Sequence, residues 1–203
     1  DVLASPAFGP GDFARVRDEL VVSLVQQRDV PAVLAAKAFA RLRWGEHPYG
    51  RWVAGTEASL AAITREDLER FHAERWRPEA GELVVVGDVA EGDLRPRLER
   101  ALAAWRGAPA PARAPPEPPA PPLRTVLVPR RDAPQAHLVL GMPGFARGHP
   151  DQAAADVLFQ VLGGGTSSRL FRNLREKEGY TYGMYALVES RRLGGTSVVT
   201  GSL

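Results

Sequence analysis

The chain has 203 residues, enough for one large domain or two small ones with ample core. Lys+Arg 26 against Asp+Glu 24 leave a net charge of +2, and no basic run is interleaved with aromatics, which argues against a nucleic-acid-binding surface. The absence of cysteine excludes a disulfide framework, a thiolate metal site and a cysteine nucleophile, and no apolar run approaches membrane-spanning length.

In chain order, residues 1–8 read as an extended lead-in and Pro10-Gly11-Asp12 as a turn and cap. Phe13, Val16, Leu20, Leu24 and Gln27 trace a helical period, and Val21, Val22 and Val25 widen its apolar arc, so this helix is expected to be buried on more than one side. Arg28-Asp29-Val30-Pro31 breaks it, and Pro31 suits the first turn of a second helix, Ala32 to Trp44. Gly45 to Gly50 is a loop and Thr56 to Ile63 a short helix. Thr64-Arg65-Glu66-Asp67 forms a capping-box variant opening a helix to Trp76. Leu83 to Val86 reads as a strand bounded by Gly81 and Gly87. Glu91 to Trp105 is an amphipathic helix with Leu94, Leu98, Leu102 and Trp105 on one face.

Composition then changes sharply. Residues 108–122 are dominated by proline, which predicts an extended, semi-rigid spacer rising about 3 Å per residue. Beyond it, Leu123 to Pro129 and Ala136 to Met142 read as strands, and His149-Pro150-Asp151 opens a helix from Gln152 to Leu162. Arg191 to Gly195 is a hairpin-like turn into a last strand, Thr196 to Leu203. A chain that starts at Asp1 without methionine and stops inside an expected strand reads as part of a longer protein.

The stretch around which these elements are organised runs from Gly163 to Gly183. Gly163, Gly164 and Gly165 free the backbone from the usual φ restriction, and Ser167 or Ser168 can cap the helix that follows. Leu170, Phe171 and Leu174 give that helix one apolar face, and Gly179 stops it. Tyr180 and Tyr182 are expected to point the same way from a strand. Arg175 lies seven positions before Tyr182, so a guanidinium and a phenol converge at one helix–strand junction, where both can hydrogen-bond a peptide carbonyl or carboxylate. A phosphate loop is a poor fit, because no Gly-Lys-Ser/Thr follows the glycines. A serine nucleophile lacks the Gly-x-Ser-x-Gly elbow.

Ser168-Arg169-Leu170, Arg175 and Tyr182 resemble the second domain of the insulinase/pitrilysin-type (M16) zinc metallopeptidases, the family that includes mitochondrial processing peptidase. The first part resembles the second half of that family's first domain at Pro48-Tyr49-Gly50, Gly55-Thr56, Ile63-Thr64, Leu68 to His72 and Leu83 to Val89. The resemblance implies an α/β two-layer, LuxS/MPP-like metallohydrolase fold, with helices packed on a mostly antiparallel sheet. It implies two incomplete homologous domains, 1–107 and 123–203, joined by the linker at 108–122. It also assigns Arg175 and Tyr182 to substrate binding over a zinc carried by the other domain.

The metal pattern departs from the family's active members. The four histidines, His47, His72, His137 and His149, form no His-Glu-x-x-His pair or its inverse, and each reads as a surface or loop residue. Alignment on Asp29-Val30-Pro31 puts Ser23 at the distal glutamate ligand and Val16 at an upstream acidic position, neither of which is a good zinc ligand. The one-register alternative is Glu19. The resemblance therefore implies a non-catalytic subunit with no zinc or other cofactor of its own, paired with a zinc-bearing paralogue. The alternatives are a structural subunit, or an active peptidase whose metal motif lies upstream. A bacterial source, periplasmic or cytoplasmic, is implied, and truncated sheets with open strand edges are expected to favour self-association.

Overall fold

The computed structural model describes residues 2–78, 81–105, 116–120, 123–131 and 133–203. Most of the linker expected at 108–122 therefore lies outside the described residues. The chain forms two compact units, each discontinuous in sequence.

The first unit comprises Asp1–Val22 and Thr56–Ala114. It holds the first part of helix α1 (Pro10–Gln27), α3 (Glu57–Ala62), α4 (Arg65–Arg75) and α5 (Glu91–Leu102). The expected cap at Thr64 forms, and a second one that the sequence reading did not include forms at Thr56. Thr56 and Ser59 close a reciprocal capping box on α3, and Thr64 and Asp67 close another on α4. On α5 the four residues at helical spacing, Leu94, Leu98, Leu102 and Trp105, are the half-buried ones, and Trp105 stacks on Trp76 at 6.5 Å. The expected multi-sided burial of α1 does not occur, since Val16, Leu20, Val22 and Val25 are exposed and Leu24 alone is buried. Leu83 to Val86 is not a strand either. No strand exists among the described residues of this unit to pair with it, and Val84 and Val86 stand in solvent.

The second unit comprises Ser23–Gly55 and Pro115–Leu203. Its sheet contains β1 (His137–Gly144), β2 (Gly183–Arg191) and β3 (Gly194–Ser202) in the order β1-β3-β2, antiparallel throughout. The expected turn at residues 191–195 joins β2 to β3. The expected strand at 123–129 has no ladder partner among the described residues. Helix α6 (Gln152–Gly163) covers the face that carries Met184 and Ala186, both buried. Helix α2 (Pro31–Trp44) covers the opposite face. There Gly141 lies opposite Val198 and leaves room for the ring of Phe39. The central β3 is the most buried strand, and its polar Thr196 and Ser197 lie inside.

After α2 a short 3₁₀ turn, Pro48–Gly50, brings Trp44, His47 and Tyr49 into mutual ring contact at 4.7–5.8 Å. His47 is buried, not a surface histidine. Its Nδ1 accepts from Tyr49 N at 3.1 Å, and its Nε2 lies 3.0 Å from the carbonyl of Pro116. Arg43 is also buried, which lowers its pKa, and its guanidinium lies 3.8 Å from the centroid of the Trp44 ring. His137 is half-buried on β1 and meets the hydroxyls of Ser202 and Thr200.

Candidate functional site

Helix α6 ends where its backbone meets the sheet. A Cβ on Gly163 would lie 2.3 Å from Ala186 N, and one on Gly164 would lie 2.2 Å from Gln160 Oε1. Neither glycine, nor Gly165, adopts positive φ. The expectation that this triplet supplies unusual φ values is thus corrected. Two of the glycines supply space for close approach, and Gly165 faces open space.

Ser168, buried, starts the next turn. Its Oγ accepts from Phe171 N at 3.4 Å, which selects it over Ser167 as the capping hydroxyl. The helix then widens into a π-helical segment, Phe171–Lys177. Glu178 N donates to Asn173 O at 3.0 Å, a span of five residues. Such wide turns carry one extra residue per turn and recur at functional sites. Leu170, Phe171 and Leu174 turn inward, as the pattern predicts. Gly179, with φ 68°, stops the segment, and Tyr180 N donates back to Leu174 O at 2.8 Å.

The chain then passes Tyr180, Thr181 and Tyr182 before β2 begins at Gly183. The two tyrosines therefore precede the strand instead of projecting from it. Thr181 points inward. Its hydroxyl accepts from Gly183 N at 3.0 Å and reaches the carbonyls of Gly183 and Ser202. Sequence reasoning missed this residue. A small β-branched hydroxyl between two exposed tyrosines is the only local sign of it.

Arg175 and Tyr182 come together. Arg175 Nη1 donates to the carbonyl of Tyr182 at 2.7 Å, and its guanidinium carbon lies 5.2 Å from the Tyr182 ring centroid and 5.5 Å from that of Phe171. Tyr182 is 79% exposed, so its phenol faces solvent beside a charged group held in place by the turn. Such a pair can donate to the carbonyls of an extended polypeptide.

The residues at the positions aligned with the family's ligands make a poor donor set for zinc. Ser23 Oγ accepts from Gln27 Nε2, Glu19 pairs with Arg15 at 2.9 Å, and Val16 offers no donor atom. Among the described residues no three His, Asp or Glu side chains gather as a metal-binding group.

Helices packed on an antiparallel sheet give the chain the fold of a peptidase-type domain. The family model described as "Peptidase M16 inactive domain" matches residues 62–202, and the chain belongs to this family. It is 32% identical over 193 residues to an uncharacterised zinc protease of Mycobacterium tuberculosis, covering 93% of this chain and 44% of that protein. It is 28% identical over 190 residues to a non-peptidase homologue of Helicobacter pylori, covering 91% of this chain and 43% of that protein. The crystal structure of a peptidase M16 inactive domain from Pseudomonas fluorescens superposes with a TM-score of 0.86 at 30% identity, covering 99% of this chain and 48% of that one. The chain thus spans about half the length of the relatives it matches, and these relatives are bacterial. No helix among the described residues is long and apolar enough to cross a membrane.

Proposed function

We propose that the protein is the non-catalytic partner subunit of a zinc metallopeptidase and grips unfolded peptide substrate through Arg175 and Tyr182. The observation that carries this reading is the exposed placement of the Tyr182 ring under the Arg175 guanidinium, anchored by the 2.7 Å bond. The zinc, its activated water and a glutamate base belong, in this reading, to a zinc-bearing paralogous subunit. This chain's part is to align the peptide and exclude water, which lowers the entropic cost of reaching the reactive geometry. Ser23 and Val16, where the family's active members carry acidic residues, support that division of labour.

The test mixes the full-length protein with its zinc-bearing paralogue and follows peptide cleavage. Arg175→Ala in a folded complex is expected to reduce cleavage about ten- to a hundred-fold, the equivalent of one charge-assisted hydrogen bond of about 1.5–3 kcal/mol. Unchanged cleavage would sink the substrate role. Stoichiometric zinc and activity in the full-length protein alone would overturn the partner role.

One observation favours a second reading, a purely structural subunit. The bond from Arg175 goes to a backbone carbonyl, an architectural task in itself. In that case Arg175→Ala lowers stability and Tyr182→Phe changes nothing. Self-association belongs with either reading, because among the described residues β1 and β2 each leave one edge unpaired. Light scattering that returns a strict monomer counts against it.

A further inference from the structure

We infer that Arg43, Trp44 and His47 form a reader of polyproline II chain, and that its occupant is this protein's own segment at residues 116–120. Proline has no N–H, so the prolines of such a strand offer a partner only carbonyl oxygens and ring faces. The cradle supplies both complements. Arg43 Nη1 donates to the carbonyl of Pro119 at 3.3 Å. His47 Nδ1 accepts from Tyr49 N, which makes Nε2 the protonated nitrogen and lets it donate to the carbonyl of Pro116 at 3.0 Å. The two carbonyls are three residues apart, and polyproline II has three residues per turn, so both project from one edge of the strand. Between them Pro118 is half-buried, and the position of a Cβ on Gly194 would touch both its ring and that of Trp44.

The sequence around the occupant favours an extended conformation. Glu117, Pro118 and Ala120 each precede a proline, which biases them away from the helical region toward extended geometry. The cradle is equally fixed. Tyr49 sits edge-on to both Trp44 and His47, accepts at its hydroxyl from Leu193 N at 3.4 Å, and lies under Arg191. Rigid aromatic walls with two donors at the spacing of one turn are the features by which aromatic-lined grooves select proline-rich ligands. In this proposal residues 116–120, the described part of the expected spacer, are a docked strap.

This chain contributes no cysteine, so a single spin label on Ala120→Cys in the full-length protein, otherwise freed of cysteine, reports the strap. The label is expected to move slowly with the cradle intact and several-fold faster in Trp44→Ala and His47→Ala. It should stay slow in His47→Gln, whose side-chain amide replaces the Nε2–H donor. Fast motion with the cradle intact, or slow motion in both alanine variants while circular dichroism reports a folded protein, overturns the proposal. A second measurement leaves the cradle untouched. With residues 116–120 replaced by Gly-Ser repeats of equal length, the His47 Nε2–H resonance is expected to vanish by exchange with water. Its persistence would equally overturn the proposal.

Discussion

The Arg175 guanidinium binds the backbone of Tyr182 and shelters beside its ring, so one side chain both orients this tyrosine and stands next to it as a donor. Arg175→Ala is expected to cost about 1 kcal/mol of stability, the scale of an exposed hydrogen bond to a charged group. Tyr182→Phe removes a solvent-facing hydroxyl and should leave stability unchanged. Urea unfolding of the two variants separates the anchoring role of the arginine from any role of the phenol.

Thr181 holds the same turn from inside. Thr181→Val keeps the shape but strips the Gly183 amide of its acceptor and leaves the Ser202 carbonyl facing a methyl group. A loss of about 1–3 kcal/mol is expected from the unpaired groups. Thr181→Ser, which restores the hydroxyl, should recover most of it in thermal melts.

The glycine triplet divides into positions that tolerate a methyl and positions that do not. Gly163→Ala pushes a Cβ against the backbone of Ala186 and should destabilise by about 1–3 kcal/mol. Gly165→Ala meets nothing within 4 Å and should be close to neutral. Chemical denaturation of the two variants side by side tests whether the triplet serves packing or flexibility.

Acid acts on α4. Bonding from Thr64 N, then from Arg70 and the Thr64 hydroxyl, holds the Asp67 carboxyl below its usual range. A carboxyl whose folded pKa is depressed contributes stability above its unfolded value, near 3.9. That contribution is lost as pH falls through the lower folded value. Stability should therefore decline below about pH 4, and Asp67→Asn should flatten that decline. Thr64→Ala, which removes the cap hydroxyl itself, should cost about 1 kcal/mol at neutral pH.

Local chemistry was legible in the sequence, and long-range fit was not. The box at Thr64, the stop at Gly179 and the meeting of Arg175 with Tyr182 all follow from spacings of a few residues. The role of Gly163 depends on Ala186, which is distant in sequence, so only the conformational explanation was visible locally. His47 looked like a loop residue because the carbonyl that buries it comes from Pro116. The π-helical widening at Phe171–Lys177 has no compositional signature. Leu83 to Val86 has the composition of a strand, but composition cannot supply the neighbour that a ladder requires.

The placement of β3 between β1 and β2 has a consequence for biosynthesis. Among the described residues both outer strands find their ladder partner in β3, which leaves the ribosome after both. The β2–β3 hairpin closes through a tight turn and can zip as soon as it emerges, whereas β1 must wait for a docking edge made some fifty residues later. Until then β1 has no ladder partner, and its open backbone edge is a template for pairing with other chains.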